Sequence, residues 1–484
     1  MLENLKPQDV FKYFEEICGI PHGSHNTKEI SDYVVEVAKK HNLKYIQDSV
    51  NNVIIYKNGS KGFEDKEPIM LQGHLDMVCE KNFETDAKFD FLNDKLRLAV
   101  MDDYVYAKGT TLGGDDGIGV AYMLALLTDD SLIAPPLECV FTVDEEVGME
   151  GAQALDVSQL NSKMLINLDN EEEGVIITSC AGGRKALLSL PIRMVERKGV
   201  KYNLVICGLI GGHSGVEIDK YRGNANLIMG RLLHFISTKI YFDLVTVSGG
   251  LQDNAIPREC NAEILVNEKD IDKLEGIVAE FEKTIKNEYR TLEKNMMIYC
   301  ENYDESTEKV LTPKTKERVI FLLMTLPDGV QRISPEDPSL VQTSSNVGII
   351  KCNKETFEVI ISIRSSVTSE KEALATKIRY LVETIGGTYE EEGDYPAWEY
   401  NESSRLRETT INCYKKLYNA EPNVLGIHAG LETGIFYQKI EGIDIVAIGP
   451  QILGIHSPKE KLSVGSVDRV YTLIKEILKF QAEN

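Results

Sequence analysis

Eight histidines occur in 484 residues, few enough for each to be weighed against the acids around it. His74 lies in Leu71-Gln72-Gly73-His74-Leu75-Asp76, after an apolar run. If that run is a strand, His74 and Asp76 share one face and Leu75 takes the other. Asp76 can then hold one ring nitrogen while the other meets a metal. Alone, such an H-x-D is weak, because a surface His–Asp pair reads the same way. Thr111-Leu112-Gly113-Gly114-Asp115-Asp116-Gly117 says more. Its glycines let the backbone turn sharply beside a ligand. Its two acids could simply cap a helix, yet a carboxylate there also suits a bridge between two ions roughly 3.5–4 Å apart. Asp144-Glu145-Glu146 follows the apolar run Leu137 to Val143. Adjacent acids at a strand end face different ways, so one can bind metal while its neighbour addresses water. Asp169 ends the apolar run Leu165-Ile166-Asn167-Leu168, and His456 lies in Gly454-Ile455-His456-Ser457-Pro458 after Ile443 to Ile448.

The other histidines have blander surroundings. His22 and His25 flank a Gly-Ser turn, His41 ends a basic helix where its charge suits the dipole, and His234 sits in an apolar helix; all four are read as structural. His428, in Gly426-Ile427-His428-Ala429-Gly430-Leu431-Glu432, lies in a turn before a helix and receives no role.

Positioning these residues falls to alternating strands and helices. Helices are expected over residues 8–18, from Asn26-Thr27 onward, after Gly113-Gly114, and over 404–418 and 467–480. Strands are expected at 53–56, 69–71, 137–143, 164–168 and 443–448. This alternation argues for an α/β domain with a mostly parallel sheet and helices on both faces. Ligands in such sheets gather at the carboxyl ends of strands, and His74, Glu145, Glu146, Asp169 and His456 all fall there. The pattern changes between about 186 and 392, where strands near 201–207, 241–247, 346–352 and 356–363 mix with helices near 224–236, 270–289, 314–326 and 370–385. We read residues 1–185 and 393–484 as one catalytic domain and 186–392 as an inserted α+β lid domain, a division that suits a chain too long for one core.

Composition narrows the function classes. The formal charge is −23, with 53 Lys plus Arg against 76 Asp plus Glu. That disfavours nucleic acid and anionic membranes as partners. Nine cysteines lie far apart with no C-x-x-C, so zinc ribbons and thioredoxin-like motifs are disfavoured and reduced, packed thiols in the cytosol are expected. No apolar run approaches the roughly 20 residues of a membrane helix. The polar N-terminus lacks a signal-peptide pattern, and a cytoplasmic location is expected.

Taken together, Gly73-His74-Leu75-Asp76, Thr111-Leu112-Gly113-Gly114-Asp115, Asp144-Glu145-Glu146, Asn167-Leu168-Asp169 and Gly454-Ile455-His456-Ser457-Pro458 resemble the aminoacyl-histidine dipeptidases. These are the cytosolic non-specific dipeptidases, or peptidase D group, of the dinuclear zinc exopeptidases. Gly211-Gly212-His213-Ser214-Gly215, Tyr395-Pro396-Ala397-Trp398 and His428-Ala429-Gly430-Leu431-Glu432 extend the resemblance over nearly the whole chain. It implies that His74 and Asp169 hold one metal, Glu146 and His456 the other, and that Asp115 bridges them. It further implies that Asp76 orients His74, that Glu145 is the general base, and that the Asp115–Asp116 peptide is cis. Gly114 and Asp116 depart from the family's usual alanine and asparagine, and neither change removes a ligand.

The implied activity is hydrolysis of unblocked dipeptides, of Xaa-His and Cys-Gly type, by water activated on two divalent ions. Zinc is expected, with cobalt or manganese as substitutes. In the inserted domain His213 is a candidate oxyanion donor, in cis or across a homodimer. Arg364 is a candidate for the substrate carboxylate, against a plain salt bridge, and Asn254 is a further substrate-binding candidate. A tripeptidase or N-acyl amino acid deacylase on the same scaffold is the alternative within hydrolases. A catalytically dead metal-binding protein is the alternative outside them, and the retention of Glu145 argues against it.

Overall fold

Ile69–His74 and Leu137–Thr142 are buried at every position, the pattern of strands covered on both faces. They pair in parallel. Met164–Asn167 joins the far side of Ile69–His74, and Asp444–Ala447 follows it, giving four parallel strands at the centre of an eight-stranded sheet. Antiparallel strands complete the flanks: Val53–Lys57 and Lys44–Gln47 beside Leu137–Thr142, and Val175–Cys180 beside Asp444–Ala447, with Asn423–Ile427 at the edge. Helix Gly114–Thr128 is apolar nearly all round, as a helix enclosed by its neighbours should be, and it packs on the His74 strand and on helix Gln8–Ile17. Helix Arg405–Tyr418 packs on Asp444–Ala447 and on the last helix, Val464–Glu483. The helix expected near Asn26-Thr27 runs over Lys28–Lys40, with Thr27 at its N-cap position making no side-chain capping bond.

This computed structural model describes residues 2–83 and 87–484, and the chain divides into two units. The first comprises Met1–Cys180, Tyr400–Gly426 and Leu431–Asn484; the second comprises Ala181–Glu399 and Ile427–Gly430. The junctions differ by a few residues from those expected because Gly182–Pro191 and Thr388–Tyr395 pair with each other inside the second unit's sheet. Each unit encloses its own apolar core.

The second unit is an antiparallel sheet of nine strands. One block runs Met297–Leu311, Met194–Cys207, Cys260–Val266, Phe242–Gly249; the other runs Val341–Cys352, Thr356–Ser365, Gly182–Pro191, Thr388–Tyr395, and the ninth strand, Gly329–Ile333, pairs with Val341–Cys352 off this path. The blocks join through two residue pairs only, Ser248 with Lys351 and Gly249 with Ile350. Four helices, Ala225–Ser237, Ile271–Glu288, Pro313–Thr325 and Thr368–Thr384, pack on this sheet. Among the described residues no helix is long and apolar enough to cross a membrane.

Candidate metal centre and active site

The parallel strands deliver the candidate residues to one edge. His74 ends Ile69–His74, Asp144 to Glu146 follow Leu137–Thr142, and Asp169 lies two residues beyond Met164–Asn167. A small four-stranded sheet adds the rest. Ile452–Leu453 and Lys461–Ser463 form a hairpin that pairs with Tyr104–Ala107, and His456 sits in the hairpin's loop with φ 55°. Asp115 opens the buried helix just after Gly113, which takes a left-handed φ of 69° suited to glycine. The Asp115–Asp116 peptide is cis.

Asp115 presents one oxygen to each histidine. Oδ1 lies 3.1 Å from His74 Nε2, and Oδ2 lies 3.2 Å from His456 Nε2. Glu146 Oε1 is 3.0 Å from His456 Nε2, and Asp169 Oδ1 is 3.8 Å from His74 Nε2. All five expected ligands are therefore brought together. One donor atom each from His74, Asp115 and Glu146 lies within 4.8 Å of the others. Two imidazoles and three carboxylates are the N and O donor types that divalent cations such as zinc take. His74 Nδ1 lies 2.9 Å from the backbone carbonyl of Asp76; donating there leaves the Nε2 lone pair free for metal.

The electrostatics carry the same mark. Burial and neighbouring acids, Asp115 first among them, hold the Asp169 carboxyl well above the usual range. Burial does the same to Glu145, with Glu432, Glu146 and Asp115 adding to it against the pull of His74. Asp115 goes the other way: burial would raise it, but hydrogen bonds from His456 and His74 outweigh that and hold it ionised. Hydrogen bonds to Asp115 and Glu146 raise His456 to about 10. So much buried negative charge at one point is what a bound cation neutralises.

Asp76 does more than the sequence implied. Its carboxylate lies 3.4 Å from His74 Nδ1, farther than its own carbonyl. Its shorter bonds are accepted from Ser24 Oγ at 2.8 Å and from the backbone N–H of Glu145 at 3.0 Å, with the Glu146 N–H at 3.3 Å. Asp76 therefore pins Glu145 and Glu146 by their backbone. The Gly23-Ser24 turn is part of this support: Met77 N–H donates to the His22 carbonyl, and His25 N–H donates to Asp144. His22 and His25, read as structural from the sequence, lie beside the site rather than away from it.

Glu432 went unread. It is fully buried, and its Oε2 accepts from Gln72 Nε2 and Thr142 Oγ1, both at 2.6 Å. Gln72 Oε1 accepts in turn from Asn167 Nδ2 at 2.8 Å. Gln72, Thr142 and Asn167 precede His74, Asp144 and Asp169 by two residues each, so this network ties three strand ends together beneath the ligands. The only signal in the sequence was polar residues inside apolar strands.

The second unit holds its own candidates. His213 Nδ1 accepts from the backbone N–H of Gly215 at 3.1 Å and of Val216 at 3.3 Å, which leaves the ring proton on Nε2. Burial and then the Arg364 charge lower its pKa, so the ring is neutral. Arg364 donates to Tyr395 Oη at 2.7 Å rather than pairing with a carboxylate. His428 bonds Ser344 Oγ through Nε2 at 2.7 Å and is lowered to about 3 by burial and then Arg364. Asn254 is exposed, and its carbonyl accepts from Ser214 N–H at 2.8 Å.

A parallel-centred sheet whose strand ends converge on a two-histidine, multi-carboxylate cluster, with an inserted α+β unit, defines a metal-dependent hydrolase. The chain belongs to peptidase family M20/M25/M40, whose family description matches residues 70–479. It is 37% identical over 483 residues to the cytosol non-specific dipeptidase of Escherichia coli K12, covering 99% of this chain and 98% of that protein. The crystal structure of aminoacylhistidine dipeptidase from Vibrio alginolyticus superposes with a TM-score of 0.92 at 33% identity, over 99% of this chain and 98% of the other. An M20 family metallo-carboxypeptidase from Sulfolobus solfataricus shares the fold at 14% identity and TM-score 0.56, over 98% and 100% of the two chains.

Proposed function

We propose that this chain hydrolyses unblocked dipeptides at a pair of divalent ions, with Glu145 as general base. The observation that carries the reading is Asp115, with a different histidine facing each of its oxygens, beside the pinned Glu145–Glu146 pair. His74 and Asp169 would hold one ion, Glu146 and His456 the other, and Asp115 both. When bound, the ions supply Lewis acidity and make a nearby water acidic enough to lose its proton near neutral pH. Zinc suits the donor set, with cobalt or manganese as substitutes.

Glu145 takes the water's proton and returns it to the leaving amine nitrogen. Asp76 keeps His74 and the Glu145 backbone in register. In the second unit, His213 Nε2–H suits the oxygen on which negative charge develops. Arg364 suits the substrate's carboxylate, since its guanidinium is met by a tyrosine rather than an acid. Asn254 is a further contact to the substrate. The names and the extent of the two similar dipeptidases support a dipeptide over a tripeptide or N-acyl amino acid. Nine cysteines, far apart in the sequence and with no C-x-x-C, suit a reducing cytoplasm, and the charge of −23 argues against nucleic acid as partner.

The test is a panel of Xaa-His and Cys-Gly dipeptides, tripeptides and N-acetyl amino acids, offered to metal-reconstituted protein. Dipeptide turnover is expected, with Glu145→Ala lowering kcat by about 10²–10⁴ while keeping two ions per chain. Turnover of N-acetyl amino acids without dipeptides, or full activity in Glu145→Ala, would overturn the assignment.

A further inference from the structure

Glu460 is four residues past His456, where the hairpin loop enters Lys461–Ser463. It is buried, at 3% exposure, and no step of the reaction uses it. Its carboxylate accepts three consecutive backbone N–H groups of a distant loop. Oε2 takes Leu112 at 2.7 Å and Gly113 at 3.2 Å, and Oε1 takes Gly114 at 2.8 Å. The next residue in that loop is Asp115. A single carboxylate thus fastens the loop carrying His456 to the loop carrying the bridging acid.

The two loops need such a fastening more than the other ligands do. His74 and Asp169 stand at or just beyond the ends of strands inside a parallel sheet, held by ladder hydrogen bonds on both sides. Asp115 and His456 instead stand on segments with left-handed residues, Gly113 at φ 69° and His456 at φ 55°, and neither is itself in a strand. Nothing in the hairpin alone sets the distance from His456 to Asp115. Glu460 spans it, within the same loop as one ligand and bonded to the three residues before the other.

We infer that Glu460 is a positioning residue for the ion held by Asp115, Glu146 and His456, acting through the Leu112–Gly114 backbone without touching the metal. The inference rests on the ligand assignment above. It makes the two metal positions unequal: loss of Glu460 loosens the His456 ion most, while the other ion, which shares Asp115, keeps its two strand-end ligands His74 and Asp169. Glutamine cannot substitute, because its amide offers one accepting oxygen and turns an N–H₂ toward amides that are themselves donors. Alanine would add a cavity to the same loss, so glutamine is the cleaner probe.

The test titrates metal-free protein with cobalt(II), following the visible absorption and the metal retained on dialysis. Wild type is expected to take up two equivalents. Glu460→Gln is expected to bind the first as wild type does and the second about 10–100-fold more weakly, in the range of outer-shell substitutions. Thermal unfolding of the metal-free forms should agree closely. Two equivalents bound by Glu460→Gln with wild-type affinity, or an equal weakening of both, overturns the inference. Wild type binding fewer than two equivalents overturns the two-ion reading instead. If Glu460→Gln does not fold, Glu460→Asp, with the charge kept and the reach shortened, is titrated in its place: loss confined to the second equivalent supports the inference, and equal loss from both overturns it.

Discussion

At the scale of single residues, the chemistry depends on which atom of an acid is used. The H-x-D spacing made Asp76 legible as a partner of His74, because residues two apart in extended chain share a side, although the strand itself ends at His74. The spacing could not reveal that the backbone carbonyl lies closer to the ring than the carboxylate does. Nor could it reveal that the carboxylate holds the Glu145 and Glu146 amides, which arrive from another strand. Asp76→Asn separates these roles. The carbonyl remains for His74, but an amide N–H₂ must now face a backbone donor. We expect kcat to fall about 10–100-fold while two ions remain bound, as read by steady-state kinetics and metal analysis. An unchanged kcat would show that the pinned amides do not matter.

At the scale of elements, the strands announced themselves as apolar runs and their ends as the acids and histidines that follow. His74, Glu146 and Asp169 lie together for that reason, whereas Asp115 comes from a helix start and His456 from a hairpin loop. Illegible were residues whose partners are remote in sequence: Gln72 and Glu432 are 360 positions apart, and no local pattern links them. The sheet's antiparallel flanks were also hidden, because alternation of strands with helices describes only its central four. Close approach is a further property of elements. A Cβ on Gly73 would stand 2.1 Å from Asp116 Oδ2, and that carboxylate accepts the His74 N–H at 3.2 Å. Gly73→Ala should therefore displace the end of the His74 strand. An overpacking penalty of about 1–3 kcal/mol is expected, seen as a lower melting temperature and weaker metal binding. A variant with wild-type melting and metal affinity would mean that the Asp116 carboxylate moves aside freely.

At the scale of the whole molecule, ion binding and protonation are linked to folding. Crowded acids such as Asp115, Glu145, Glu146 and Asp169 favour any state in which cations relieve them. Chelation should lower the melting temperature, and zinc, cobalt or manganese should restore it, with about 2.7 kcal/mol expected at a free ion concentration one hundred times the dissociation constant. Melting that ignores the chelator would count against a built metal site. In the second unit, His428 titrates at about 3 when folded because burial and Arg364 oppose its charge, against about 6.5 when unfolded. The unfolded chain thus binds the extra proton between those values. The stabilisation is complete above pH 6.5 and is lost as pH falls toward 3, at up to about 1.4 kcal/mol per unit. His428→Gln should flatten the dependence of melting temperature on pH between 4 and 6.5 relative to wild type; parallel curves would refute the assignment.

The grip of Asp76 on two consecutive amides bears on which metals the protein can work with. Glu145 and Glu146, the proposed base and ligand, are indexed through their own backbone amides to the Asp76 side chain, not to the ion. An ion of another radius can be met by side-chain rotation at Glu146 while the Glu145 main chain stays where Asp76 holds it. Interchange of metals should therefore alter the acidity of water more than the aim of Glu145, the proposed base.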